Sequence, residues 1–284
     1  MSFNYRRSVL IIWLVGFFAV VLAPSASASS LVERGKYLTE GIAGCGNCHT
    51  PWGGPMKGKY LAGGNSFGDD KAPFKSYAPN ITPDMETGIG TWTDAQLITA
   101  IREGTRPDGS VIGPPMAIEF YNGMSDHDVK SIVAYLRTVK PIRNSTPKSV
   151  YRMKLIAQKP AGKVADVSPS KQIAFGAYLV LIGHCMECHT PFVKGRMVLA
   201  KFGAGGRVFP GPWGESVSPN ITPDKNSGIG DWTDAQIKRA ITKGVRHDGT
   251  KLRPPMCFGC YSQMSEADVD AVVAYLRTIK PVEN

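Results

Sequence analysis

Apolar positions along the chain fall into short clusters separated by long Gly- and Pro-rich stretches, and the clusters that show a period show that of a helix. After Ser125 the apolar residues Val129, Ile132, Val133 and Leu136 recur at three- and four-residue steps, which buries one face of a helix. A matching helix is expected after Ser265. T-D-A-Q at Thr93, and again at Thr233, is a capping box that starts a middle helix. A first helix is expected from about Leu31 to Ile42, with a partner from about Lys171 to Ile182. No segment alternates apolar and polar residues as a half-buried strand would, so the expected fold class is all-α.

The most apolar run, Val9–Ala23, belongs to none of these helices. Arg6 and Arg7 precede it and Pro24 and S-A-S-A-S follow, which is the pattern of a secretory signal. Ala26 and Ala28 fit the small positions of a cleavage site, so residues 1–28 are expected to be removed on export to the periplasm. The rival reading is an uncleaved membrane anchor, for which this run falls short of the roughly 20 residues a span requires.

The pattern also repeats. P-N-I-T-P-D-M-E-T-G-I-G-T-W-T-D-A-Q from Pro79 returns from Pro219 as P-N-I-T-P-D-K-N-S-G-I-G-D-W-T-D-A-Q. The stretch from Met124 through V-A-Y-L-R-T-V-K-P returns from Met264, and both pairs are offset by 140 residues, as are Cys45 and Cys185. Before the cysteines the offset slips by one, G-K-Y-L at Gly35 matching G-A-Y-L at Gly176. Two copies of one domain are expected, over 31–141 and 172–284, joined by a basic connector over 142–171.

Composition adds little to the architecture. Apolar residues at 43% and charged residues at 20% exclude wholesale disorder, and 31 Gly with 21 Pro favour a loop-rich fold. A net charge of +10 suits an acidic partner or an anionic membrane. The connector lacks the aromatic interleaving of nucleic-acid binders, and no nucleic-acid partner is expected.

The cysteines change the picture. C-G-N-C-H stands at Cys45–His49 and C-M-E-C-H at Cys185–His189, at matching places in the repeat. C-x-x-C-H in an exported chain reads as c-type haem attachment: two thiols form thioethers and the adjacent histidine ligates the iron. A redox dithiol would want a βαβ context, which is missing, and a zinc site a second pair in each copy, which the first copy lacks. For the sixth ligand, Met116 and Met256 follow G-P-P and R-P-P, each 67 residues after its histidine. The other repeated pair, Met124 and Met264, precedes the last helix as a hydrophobic staple. The expected haem-binding residues are therefore Cys45, Cys48, His49 and Met116 in one copy and Cys185, Cys188, His189 and Met256 in the other. Iron would be held by His49 with Met116 and by His189 with Met256.

C-x-x-C-H, N-I-T-P-D, T-G-I-G-x-W-T, P-P-M and the final V-A-Y-L-R together resemble class I cytochrome c domains. More closely, they resemble the multihaem cytochrome c subunits that accept electrons from periplasmic alcohol, gluconate and related dehydrogenases. The resemblance covers both copies and implies the same histidine and methionine ligands. The sequence departs from the three-haem members in carrying two motifs. The implied function is electron transfer rather than catalysis. Two covalent haems would relay electrons from a periplasmic dehydrogenase to an oxidase or another cytochrome, with possible membrane association through the signal or a partner. The alternative is a dihaem enzyme, a peroxidase or sulfur-compound dehydrogenase, with one exchangeable ligand. Cys257 and Cys260, which have no counterpart in the first copy, read as a local disulfide near Met256 or as a redox thiol pair. His184 is expected beside the second haem, His127 and His247 in solvent, and Trp92 and Trp232 in the core.

Overall fold

A computed structural model describes Met1 and residues 26–193, 195–211 and 213–284. The apolar run of the expected signal lies outside these residues. The first copy contains α1 (Ala26–Glu40), α2 (Cys45–His49), α3 (Asp94–Glu103), α4 (Ile118–Tyr121) and α5 (Asp126–Leu136). The second repeats them as α6 (Gln172–Ile182), α7 (Cys185–His189), α8 (Asp234–Lys243), α9 (Phe258–Tyr261) and α10 (Glu266–Leu276). Among the described residues no helix is long and apolar enough to cross a membrane.

The helix starts follow from local chemistry. At α3 the Gln96 N–H donates to Thr93 Oγ1 (3.2 Å) and the Thr93 N–H to Gln96 Oε1 (2.8 Å), and α8 repeats both bonds. Ser125 and Ser265 cap α5 and α10 by accepting from the Asp128 and Asp268 N–H groups, each at 3.1 Å. The first helix begins earlier than expected, at Ala26, and ends two residues sooner, at Glu40.

Each copy is built on one helix pair, α1 on α5 and α6 on α10. The crossings are close because glycine stands at them: a Cβ on Gly35 would lie 1.8 Å from Ser131 O, and one on Gly176 1.9 Å from Ala271 O. Leu38, Val129, Leu179 and Val273 are fully or almost fully buried beside these crossings. The buried apolar side chains of the two copies form one continuous cluster.

The all-α expectation needs correction. The structure is helix-rich, but its described residues include three small antiparallel sheets. β1 (Ser66–Gly68), β2 (Phe74–Tyr77) and β3 (Val150–Tyr151) form one; β4 (Phe192–Val193) with β5 (Arg196–Met197), and β6 (Val208–Gly211) with β7 (Gly214–Val217), form the others. Strands of two to four residues are too short to display a period of two, and backbone pairing rather than side-chain pattern makes them.

The stretch 142–171 packs along the first copy instead of hanging free. It supplies β3, and the Asp126 N–H donates to Val164 O at 2.9 Å. Asn144 Nδ2 donates to Ala62 O at 2.8 Å, and Asn122 Nδ2 to Lys159 O at 3.0 Å.

Candidate functional site: two attachment turns

Both C-x-x-C-H motifs fold as single helical turns, α2 and α7, each entered through a left-handed residue. Gly44 (φ 54°) serves in the first copy and His184 (φ 41°) in the second. All four cysteines of the motifs are partly buried, and none of them is in a disulfide. Burial pushes Cys45 and Cys185 up to about 12, and Cys48 and Cys188 to about 11 and about 12. Among the described residues no three His, Cys, Asp or Glu side chains converge as a metal-binding set.

The histidines are buried and oriented identically. His49 Nδ1 lies 2.8 Å from Pro79 O, and His189 Nδ1 lies 2.8 Å from Pro219 O. A carbonyl only accepts, so Nδ1 carries the proton and Nε2 is the nitrogen able to ligate. Burial lowers both imidazole pKa values, which favours the neutral, ligating form.

The proline carbonyls are held in place by the repeated N-I-T-P-D turn. The Thr82 N–H and hydroxyl donate to Asn80 Oδ1 (2.9 and 2.8 Å), while Asn80 Nδ2 donates to Ile142 O (2.6 Å). Asn220, Thr222 and Val282 repeat this arrangement. Arg137 ties α5 to the loop that leads into α3 by donating to Ile89 O, Trp92 O and Asp94, and Arg277 ties α10 to the loop before α8 through Ile229, Trp232 and Asp234. Asn65, which the sequence did not single out, donates to Cys48 O (2.7 Å) and Thr50 O (2.8 Å) and so fixes the chain leaving α2.

In the first copy a cavity lined mostly by apolar groups opens beside the turn. Cys45, Cys48 and His49 line one part of it, and Met116, Trp92 and Leu136 line others. Met124 also borders this cavity but is completely buried, directly before the cap of α5. Met116 is half-buried on the loop before α4. Two thiols, an oriented imidazole and a thioether around one apolar space form a donor set that fits a covalently held haem.

Other expected residues resolve as follows. Cys257, which precedes α9, and Cys260 within it form a disulfide. His184 reaches across the copies: its ring lies edge-on to Tyr121 at 5.9 Å and borders the first copy's cavity. His127, beside Asp128, and His247, whose ring lies 4.4 Å from that of Trp232, are both exposed, as expected. Trp92 and Trp232 pack on the core.

The cytochrome c family profile matches residues 32–140 and 173–280. The chain belongs to the cytochrome c family. Cytochrome c domains imply covalently bound haem c, and the cysteine pairs at 45/48 and 185/188 fit its attachment motif. The fructose dehydrogenase cytochrome subunit of Gluconobacter japonicus is 32% identical over 273 residues, covering 90% of this chain and 54% of that protein. A diheme cytochrome c-type protein of Cereibacter sphaeroides is 33% identical over 257 residues, covering 84% of this chain and 83% of its own. The gluconate 2-dehydrogenase cytochrome c subunit of Pantoea cypripedii is 28% identical, covering 96% of this chain and 65% of that subunit. The chain spans 54% to 59% of the length of the fructose and alcohol dehydrogenase subunits it matches.

Proposed function

We propose that this protein is an exported dihaem electron carrier that accepts electrons from a periplasmic dehydrogenase and passes them to an oxidase or another cytochrome. The observation that carries this reading is the pair of identical attachment turns, each with its histidine Nδ1 fixed on a proline carbonyl. We assign Cys45, Cys48, Cys185 and Cys188 to thioether attachment, His49 and His189 to proximal ligation, and Met116 and Met256 to the sixth position. Residues 31–141 and 172–284 are the two domains, 142–171 joins them, and residues 1–28 direct export.

Haem held at these sites supplies a one-electron Fe(III)/Fe(II) couple. The chain's own residues set its properties. The Pro79 and Pro219 carbonyls orient each imidazole and raise its basicity. The apolar lining excludes water, and a thioether in the sixth position favours the reduced state while leaving no site for substrate. Met116 is preferred over Met124 because Met124 is already committed to packing against the start of α5.

A redox titration followed by visible spectroscopy, repeated under CO, tests the assignment. Two low-spin haems that ignore CO are expected, and Met116→Ala should gain CO binding and lose potential at one haem. CO binding by the unaltered protein would overturn the carrier reading and favour an enzyme.

A further inference from the structure

The two copies touch through the same residues used twice. Tyr37, on α1 of the first copy, accepts the Ser265 N–H at 2.9 Å and donates to Asp268 Oδ2 at 2.7 Å, at the start of α10. Tyr178, on α6 of the second copy, accepts the Ser125 N–H at 3.2 Å and donates to Asp128 Oδ2 at 2.6 Å, at the start of α5. Each tyrosine hydroxyl therefore completes the N-terminal cap of the other copy's last helix. This is the reciprocal arrangement of a two-fold interface, made here within one chain.

The attachment turns adjoin this interface. Asn47, inside C-G-N-C-H, donates to Pro255 O of the second copy at 3.0 Å, and a Cβ on Gly44 would lie 3.6 Å from Cys260 Sγ. Asn47 thus links the first attachment turn to the loop that carries Met256. Electron tunnelling falls exponentially with separation, so whatever fixes the docking of the copies fixes the rate between their haems.

We propose that Tyr37 and Tyr178 are positioning residues for electron transfer between the two haems, acting as a reciprocal hydroxyl lock. The inference rests on the dihaem reading above. Neither hydroxyl lies within its own copy's haem site, so its loss should leave each haem's ligands in place and loosen the docking. Loss of one hydrogen bond to a charged carboxylate shifts a two-state equilibrium by roughly tenfold or more.

The test uses the full-length dihaem protein with Tyr37→Phe and Tyr178→Phe combined, which keeps both rings. Two haems held close together give a bisignate Soret circular dichroism band, expected in the unaltered protein. The double variant should retain two haems per chain and unchanged absorption, but lose at least about half of the bisignate amplitude. Equilibration between haems after one-electron pulse reduction should slow roughly tenfold. Tyr37→Phe alone removes the more exposed contact and should give a smaller loss of both signals, which keeps the test intact if the double variant does not fold. Unchanged amplitude and rate in a variant holding two haems would overturn the lock, as would absence of the bisignate band from the unaltered protein. Fewer than two haems in the unaltered protein would instead overturn the dihaem reading.

Discussion

Gly35→Ala should break the helix pair that leads into the first attachment turn. A Cβ at this position would lie 1.8 Å from Ser131 O, 2.4 Å from Ser131 C and 2.8 Å from Tyr135 Cβ. The two nearest atoms are backbone of α5, so no rotamer relieves them. A carbon–oxygen contact settles near 3.3 Å, and α1 must therefore retreat from α5 by about 1.5 Å. Alanine returns about 1 kcal/mol of helix propensity. Overpacking of this severity costs about 3 kcal/mol, and parting the helices loosens the buried Leu38 and Val129 besides. A net loss of about 2 kcal/mol or more follows, read as a lower guanidinium midpoint of the haem-loaded protein. Gly53→Ala is the control, since a Cβ there meets nothing within 4 Å. Gly35→Ala as stable as that control would refute the reasoning. Gly176→Ala, whose Cβ would lie 1.9 Å from Ala271 O, should behave alike.

Other outcomes follow from single contacts. Thr93→Ala removes the side-chain half of a capping box and should cost about 1 kcal/mol in chemical unfolding; no change would mean water caps α3 equally well. Asp126 accepts from Arg102 (2.7 Å) and from the Val164 N–H (3.3 Å), which hold its carboxyl below the ordinary value of 3.8. A depressed carboxyl stabilises the fold above its unfolded pKa and loses that contribution as pH falls through the folded one. Asp126→Asn should therefore flatten the acid limb below about pH 4, and equal limbs would count against the linkage. Replacing Cys257 and Cys260 by serine opens a loop of three-residue separation. Chain entropy gives about 2 kcal/mol for it or less, with both haems retained; loss of the second haem would show that the disulfide holds the Met256 loop.

Much of the local structure was legible because its bonds span three or four residues. Thr93, Ser125 and their repeats announced helix starts, since an N-cap and its partner are neighbours in sequence. The duplication announced two copies, and C-x-x-C-H announced attachment turns because two thiols and an imidazole must sit within five residues. Those features needed no knowledge of what packs where.

What the tertiary structure alone decided involves partners far apart along the chain. Pro79 O reaches His49 across 30 residues, and a backbone carbonyl leaves no mark on residue identity. The strands β3 and β2 meet over more than 70 residues, and pairing of two residues has no periodicity to read. His184 adjoins Cys185 in the chain, but that its ring also lies edge-on to Tyr121 of the first copy was decided only by folding. Tyr37 and Asp268 stand 231 residues apart, and nothing in either motif says that a tyrosine of one copy completes the helix cap of the other. The sequence by itself determined the repeated cytochrome c pattern, its helix caps and the C-x-x-C-H motifs in each copy. Only folding decided how the copies face each other, because that depends on surfaces assembled from residues that no local pattern joins.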